Sequence, residues 1–155
     1  MVNKKKILIV YASRTGSTEK LAQAIAEGIK KVDGVSVEVM KARDVKPENA
    51  VLADGYAFGS HSAFEYMGGE LKSLFEELYQ VKHKMDGKPV LLFTTGQGGQ
   101  AVALESLNKV VGVFNPHWIK PGLAVEGMPK EADISMAIQM GVKLAEATKC
   151  EYFIA

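Results

Sequence analysis

The chain has 155 residues, which at roughly 150 residues per domain predicts a single domain spanning residues 1–155, without a separate substrate or regulatory domain. Its 19 lysine and arginine residues and 18 aspartate and glutamate residues leave a net charge of +1, too weak to attract nucleic acid or an anionic membrane by a general electrostatic field. The single cysteine, Cys150, excludes an intramolecular disulfide and is typical of a reducing compartment.

The N-terminal segment combines a basic start with a short apolar run. Three lysines at positions 4–6 precede the apolar residues 7–10, and polar residues return at Ser13. A secretory signal needs roughly 7 to 15 apolar residues, and a membrane-spanning helix needs about 20. The run is too short for either, so the sequence predicts a buried strand here and a cytoplasmic protein with no membrane partner.

Hydrophobic periodicity divides the rest of the chain into alternating strands and helices. Continuous apolar runs predict buried strands, alternation predicts a more exposed strand, and apolar residues at helical spacing predict amphipathic helices. In chain order we predict a strand at 7–11, a helix at 21–29, a strand at 35–39, an irregular connection or short helix at 47–49, a strand at 56–59, a helix at 69–78, a strand at 90–95, a helix at 104–114, a strand at 123–125 and a helix at 134–145. This order is typical of an α/β protein with three layers, in which helices cover both faces of a parallel sheet.

Three loops are expected to meet at one edge of that sheet. Ligands of open parallel sheets bind beyond the carboxyl ends of the strands, near the point where the strand order reverses. The loops after the first, third and fourth predicted strands, residues 13–18, 60–68 and 94–101, all leave the sheet at this edge. They are also the least ordinary loops in composition, and we expect them to form one binding site.

The first of these loops has the composition of a phosphate-binding site. It consists of Ser13, Arg14, Thr15, Gly16, Ser17 and Thr18 and leads into a predicted helix. Helix starts bind anions through unpaired N–H groups and the positive end of the helix dipole, hydroxyls add donors, and glycine lets the backbone approach. The alternative is that Thr18 caps the helix within an ordinary polar turn, although capping needs only one hydroxyl. The lysine and the longer glycine spacing of a nucleoside triphosphate loop are absent from this stretch.

Residues 7–18 resemble the flavodoxin signature, an apolar strand followed by the pattern Ser/Thr-x-Thr-Gly-x-Thr. The resemblance continues through residues 54–59 and 87–99 to the last helix, without the extra segment of long-chain flavodoxins. It implies a flavodoxin-like, doubly wound three-layer sandwich with a five-stranded parallel sheet in the order 2-1-3-4-5. It also implies one non-covalent FMN, with its phosphate on the first loop and its isoalloxazine ring between the other two loops.

The resemblance implies that the second loop packs against the flavin ring. Its candidate cofactor-binding residues are Ser60, His61, Ser62, Ala63, Phe64 and Glu65. Phe64 or Tyr66 is expected to stack on the ring, with the alternative that both aromatics cover the following helix. Family members often carry glycine near Glu65, where a peptide flip supports one-electron reduction, and glutamate makes a positive φ angle more costly. His61 is either a solvated loop histidine or one whose protonation tunes an edge of the ring.

The third loop is glycine-rich and opens a helix. Its candidate cofactor-binding residues are Thr94, Thr95, Gly96, Gln97, Gly98 and Gly99. Gly96, Gly98 and Ala101 match the G-x-G-x-x-A spacing of a dinucleotide site, but the acidic ribose partner expected about 20 residues further on is absent from the sequence. The resemblance implies instead that backbone N–H groups and Gln97 lie near the pyrimidine edge of the flavin. A plain glycine-rich turn is the remaining alternative.

The other residues with chemical potential indicate no further site. His61, His83 and His117 lie in separate loops without the spacing of metal ligands, so no metal site is predicted. Trp118 is far in sequence from the three loops and precedes the last predicted strand, so we expect it to pack in the core. No nucleophile motif indicates covalent catalysis, and no catalytic residue is predicted.

The resemblance implies a small electron-transfer protein in which FMN exchanges electrons with redox partner proteins. Residues 59–71 and 96–99 also resemble the WrbA-like NAD(P)H:quinone oxidoreductases, so an NAD(P)H-dependent quinone or flavin reductase is the alternative. Those enzymes carry a histidine where this chain has Gly112 and Val113, which favours the carrier. An FMN-binding regulatory module without turnover is a third alternative. Because Arg14 and Glu65 are the only charged residues of the three loops, we expect a less negative potential for full reduction than in acidic flavodoxins.

Overall fold

A computed structural model describes residues 4–150 of the chain. Its elements are β1 (Lys5–Ala12), α1 (Ser17–Ile29), β2 (Val35–Lys41), α2 (Pro47–Ala50), β3 (Gly55–His61), α3 (Gly69–Leu78), β4 (Pro89–Gly96), α4 (Gln100–Val111), β5 (His117–Trp118), β6 (Leu123–Glu126) and α5 (Glu131–Lys149). Short 3-10 turns follow β2, α3 and α4. Within the described range, no helix is long and apolar enough to cross a membrane.

The strands form a parallel sheet in the order β2-β1-β3-β4-β5, and β6 also pairs with β4. The predicted order 2-1-3-4-5 is confirmed, with the fifth position filled by two segments instead of one. β5 pairs with Pro89 and Val90, whereas β6 pairs with residues 93–96. Pro121 lies between the two segments, and proline has no N–H group to donate to a strand ladder. Trp118 belongs to β5 itself. Its side chain packs against the hydrophobic core, as expected from the sequence.

Two hydrophobic clusters cover the opposite faces of the sheet. Ile7 and Ile9 of β1 pack with α1 and α5 on one face. Leu8 and Val10 pack with α3 and α4 on the other. Because successive side chains of a strand point to opposite faces, the continuous apolar run of β1 contributes to both clusters. The three layers are those predicted from the sequence.

Helices α1 and α5 approach each other closely at two glycines. A Cβ atom on Gly28 would lie 2.0 Å from the carbonyl oxygen of Ile138, and one on Gly141 would lie 2.1 Å from the carbonyl oxygen of Ile25. No side chain fits between the backbones at either point. The contact fixes the axis of α1, whose first turn belongs to the site described next.

Candidate functional site

A cleft of about 380 Å³ lies at the carboxyl ends of the strands. Its lining residues are Arg14, Thr15 and Ser17 from the first loop, His61, Ser62 and Glu65 from the second, Thr95, Gly96, Gln97 and Gly99 from the third, and Gly127 from the turn after β6. The three loops selected from the sequence therefore meet in one place. Their strands β1, β3 and β4 are parallel neighbours, so their carboxyl ends share one edge.

The first loop presents a set of donors at the start of α1. Gly16, the residue before the helix, has φ +92° and no atom within 4 Å of a Cβ position, so the backbone turns there without steric cost. The Gly16 N–H donates to the Ser13 hydroxyl at 3.1 Å. The first hydrogen bond inside α1 runs from the Lys20 N–H to the Gly16 carbonyl, which leaves the N–H groups of Ser17, Thr18 and Glu19 without helical partners. The Thr15 and Ser17 hydroxyls lie 3.3 Å apart beside them. Hydroxyls and N–H groups at a helix start suit an anion.

Thr18 has a different role from the one expected of it. Its side chain is buried, and its hydroxyl lies 2.7 Å from the hydroxyl of Thr95 at the end of β4. No side chain caps the start of α1, so the alternative that Thr18 is a helix cap is wrong. Thr18 instead joins the first loop to the third, inside the protein and away from the cleft surface.

The Thr18–Thr95 pair gives the first prediction. Replacing either threonine by valine leaves the other hydroxyl buried without a partner, which is expected to cost about 1 to 3 kcal/mol of unfolding free energy. Replacing both removes the polar pair, so the double variant should lose clearly less than the sum of the single variants. Urea unfolding of the four proteins measures this coupling. Additive losses would contradict a mutual hydrogen bond.

The second loop contains a tight hairpin turn. The Ala63 N–H donates to the Tyr66 carbonyl at 2.7 Å, and the Tyr66 N–H donates to the Ala63 carbonyl at 3.0 Å. Phe64 and Glu65 between them have φ +54° and +63°, as both central residues of a type I′ turn must. Glutamate therefore already occupies the positive φ region that was expected to be costly. The two hydrogen bonds of the hairpin hold it there.

Neither aromatic residue of this loop lines the cleft. Phe64, at the tip of the turn, is fully exposed, and Tyr66 is 40% exposed beside α3 and α4. The expected ring stacking by Phe64 or Tyr66 therefore has no counterpart in the described arrangement. Ala63 is half-buried at the base of the turn, and Glu65 is the member of the hairpin that reaches the cleft.

Ser60 and His61 connect the second loop to its neighbours. Ser60 is completely buried, and its hydroxyl donates to the His61 carbonyl and accepts from the Gly68 N–H, both at 2.7 Å. It therefore ties the loop together and does not reach the cleft. The Nδ1 atom of His61 lies 3.2 Å from the carbonyl oxygen of Ala12, the last residue of β1.

The glycines of the third loop allow it to lie directly against the second. A Cβ atom on Gly99 would lie 2.7 Å from the Ser62 hydroxyl, and one on Gly96 would lie 3.0 Å from the Ser62 Cβ. The Ser62 N–H donates to the Thr95 carbonyl at 2.8 Å. Close packing between loops accounts for these two glycines without a dinucleotide. Gly98 has φ +117°, the other conformation that requires glycine.

The polar groups of the third loop are partly used within the loop itself. The Thr94 hydroxyl donates to the Gln100 carbonyl at 2.7 Å, and the Gly98 N–H donates to the Gln100 side-chain oxygen at 2.8 Å. Thr94 is buried, whereas Gln97 is exposed on the cleft wall. Gln97 is therefore the side chain of this loop that is accessible to a ligand.

Gly127 was missed by sequence reasoning. Its N–H donates to the Gly96 carbonyl at 2.8 Å, and it has φ +69°. The signal was available, since Gly127 lies two residues after the predicted strand 123–125 and so leaves the sheet at the same edge. The turn after β6 is thus a fourth connection at the edge of the sheet where the three loops meet.

Charges around the cleft are more numerous than its lining alone indicates. Arg14 and Glu65 are exposed on its walls, and Glu126 is exposed next to Gly127. Burial, together with the Glu19 carboxylate that accepts its hydrogen bond, raises the pKa of the Tyr11 hydroxyl at the end of β1. The expectation of a less negative potential rested on Arg14 and Glu65 only. The Glu126 carboxylate near the cleft acts against it.

Comparison with known proteins assigns the family. A family model described as Flavodoxin matches residues 9–112. The chain belongs to the flavodoxin family. The resemblance noted in residues 7–18 is thereby confirmed, and the matched range includes all three loops of the cleft.

The relatives of this chain include flavodoxins and NAD(P)H dehydrogenases (quinone). A flavodoxin of Aquifex aeolicus (strain VF5) is 31% identical over 161 aligned positions, covering 91% of this chain and 85% of the relative. An NAD(P)H dehydrogenase (quinone) of Archaeoglobus fulgidus is 26% identical, covering 93% of this chain and 97% of the relative. A solved flavodoxin from the domain Archaea has a TM-score of 0.85 at 25% identity, covering 94% of this chain and 99% of that one.

The donor set of the cleft fits the cofactor of the flavodoxin family. Flavodoxins bind FMN, and the prediction of this cofactor is confirmed at the level of the family. In this chain the first loop offers hydroxyls and N–H groups to a phosphate, without relying on a cluster of basic side chains. The closely packed second and third loops form the walls beyond it. FMN consists of a phosphate monoester joined to a flat ring. The phosphate suits the donors of the first loop, and the ring suits the cleft beyond them.

Proposed function

We propose that this flavodoxin is a small electron-transfer protein that holds one FMN in the cleft and passes electrons between redox partner proteins. One observation carries the proposal. The same cleft is lined by the Thr15 and Ser17 hydroxyl residues at the start of α1 and by the exposed residues Glu65 and Gln97. A flavin held by its phosphate at the first loop would keep a ring edge within reach of a docked protein.

Different loops would bind different parts of FMN. Ser13, Thr15 and Ser17, with the N–H groups at the start of α1, hold the phosphate. Ser62 and Glu65 of the second loop and Gln97 of the third, which line the same cleft, would contact the ring. Thr18, Ser60 and Thr95 position the loops through buried hydrogen bonds. FMN supplies the redox chemistry, since it takes up and releases electrons one or two at a time.

A second candidate function is an NAD(P)H-dependent quinone or flavin reductase. The NAD(P)H dehydrogenase (quinone) of Archaeoglobus fulgidus, similar over 93% of this chain, favours it. The higher identity to the Aquifex aeolicus flavodoxin favours the carrier. For the carrier, redox partner proteins are the expected partners, whereas the reductase would take NAD(P)H and a quinone. A cytoplasmic location stays a prediction from the sequence.

Reduction of the purified FMN-bound protein separates these functions. For a carrier, dithionite should reduce the flavin in two resolved one-electron steps, whereas NADH or NADPH alone should not reduce it faster than free FMN at equal concentration. Adding a quinone should not change that result. Rapid, quinone-dependent oxidation of NADH or NADPH would overturn the carrier in favour of the reductase.

A further inference from the structure

His61 occupies a defined position between the first and second loops. It ends β3, and its Nδ1 atom lies 3.2 Å from the Ala12 carbonyl oxygen, directly before the phosphate-binding loop begins. A carbonyl oxygen only accepts hydrogen bonds, so the proton of the neutral ring is on Nδ1. Nε2 is then the ring nitrogen left for a ligand, and it makes no hydrogen bond within the described residues 4–150.

A glycine holds the ring in this orientation from the other side. A Cβ atom on Gly68 would lie 2.6 Å from Cε1 and 3.2 Å from Nε2 of His61. The ring therefore packs on the Gly68 backbone while it is bonded to Ala12, and both contacts restrict its rotation. Its exposed part lines the cleft together with Thr15 and Ser17, the hydroxyl residues of the first loop.

We propose that His61 binds the phosphate monoester of FMN through Nε2, as an imidazolium cation. The inference rests on the proposed FMN site. In the neutral ring, Nε2 is an acceptor and cannot bond to a phosphate dianion, so binding of the dianion takes up one proton from solvent onto Nε2. Both nitrogens then donate, Nδ1 to Ala12 and Nε2 to the phosphate. The sequence predicts either a solvated loop histidine or one that tunes an edge of the ring; the bond to Ala12 instead directs His61 towards the phosphate end.

Charged side chains of both signs lie around the cleft that His61 lines, including Glu126 next to Gly127. Arg14 and Glu65 lie on the cleft walls that it shares, and Glu70 in the first turn of α3 lies 3.9 Å from Arg43. Glu19 in the first turn of α1 is bonded by Tyr11. The third loop contributes no charged side chain. A phosphate dianion beside Nε2 would therefore be the dominant new charge acting on the ring.

Two substitutions separate the two nitrogens. His61→Asn keeps an N–H donor at the distance of Nδ1 from the backbone and removes Nε2, whereas His61→Gln places a neutral donor near Nε2. Dissociation constants for FMN and riboflavin are measured by quenching of flavin fluorescence between pH 6.5 and 8.5, above the pH of about 6 at which a phosphate monoester takes up its second proton. Calorimetry in two buffers of different ionisation enthalpy measures proton uptake. His83→Asn, in the 3-10 turn after α3, is the control.

The expected result is a pH-dependent loss that is specific to the phosphate. His61→Asn should weaken FMN binding about tenfold at pH 6.5 and less than about twofold at pH 8.5, with riboflavin binding unchanged. His61→Gln should recover part of the affinity without the pH dependence or the proton uptake, and His83→Asn should match the wild type. Tight FMN binding with equal pH dependence in wild type and His61→Asn would overturn the role of His61 alone. A wild-type protein that binds neither flavin would overturn the proposed function as well.

Discussion

Replacing Thr15 and Ser17 together by alanine is expected to weaken FMN binding by at least about a hundredfold while riboflavin binding changes by less than about threefold. Each hydroxyl bonded to an ionised phosphate contributes about 1.5 to 3 kcal/mol, and tenfold in affinity corresponds to about 1.4 kcal/mol. The two hydroxyls lie side by side, 3.3 Å apart, so one phosphate can bond to both. Fluorescence titration of the apoprotein with each flavin measures the effect.

The control for this prediction is Ser73→Ala, which removes an exposed hydroxyl from α3 outside the cleft. It should bind both flavins as the wild type does. An equal loss of FMN and riboflavin affinity in the double variant would mean that the substitutions disturb the ring site or the fold. Unchanged FMN affinity would mean that the phosphate binds elsewhere.

Replacing Gly141 by alanine is expected to destabilise the protein by about 3 kcal/mol, a large fraction of the roughly 5 to 15 kcal/mol by which domains of this size are stable. The new methyl carbon would lie 2.1 Å from the Ile25 carbonyl oxygen, a backbone atom that cannot rotate away. Helices α1 and α5 would have to separate, which opens voids in the cluster that both helices cover. Urea unfolding measures the loss.

Gly28→Ala should behave in the same way, because its methyl carbon would lie 2.0 Å from the Ile138 carbonyl oxygen. The matched control is Gly69→Ala at the start of α3, where no atom lies within 4 Å of the Cβ position. That variant should be neutral or more stable by up to about 1 kcal/mol, since alanine suits a helix better than glycine. Equal stabilities for all three variants would contradict the close approach of α1 and α5.

Most of the fold is predictable because it rests on local patterns. The unbroken apolar run of β1 and the helical spacing of Leu21, Ile25 and Ile29 identify buried elements without any tertiary information. The two-residue strand His117–Trp118 has no periodicity to detect. It pairs only because β4 lies next to it, and that pairing is a tertiary property.

In the cleft, too, features that follow from local patterns are predictable, whereas tertiary contacts are not. Its loops are predictable because the carboxyl ends of parallel strands share one edge, and the structure brings residues of all three together. The hydrogen bond between Thr18 and Thr95, which are 77 residues apart, cannot be predicted from a local sequence pattern. The outward position of Phe64 follows from a two-residue turn with positive φ angles, which a sequence of Phe-Glu does not indicate.

The most direct test of the central claim, that this cleft holds FMN with its phosphate at the first loop, is an amide chemical-shift map of the apoprotein during titration with FMN. The largest changes should fall on residues 13–18, 61–65, 95–99 and 127, saturating at one FMN per chain, and inorganic phosphate alone should reproduce only those at 13–18 and at His61. Changes centred outside these loops, or phosphate effects spread over all of them, would contradict the claim.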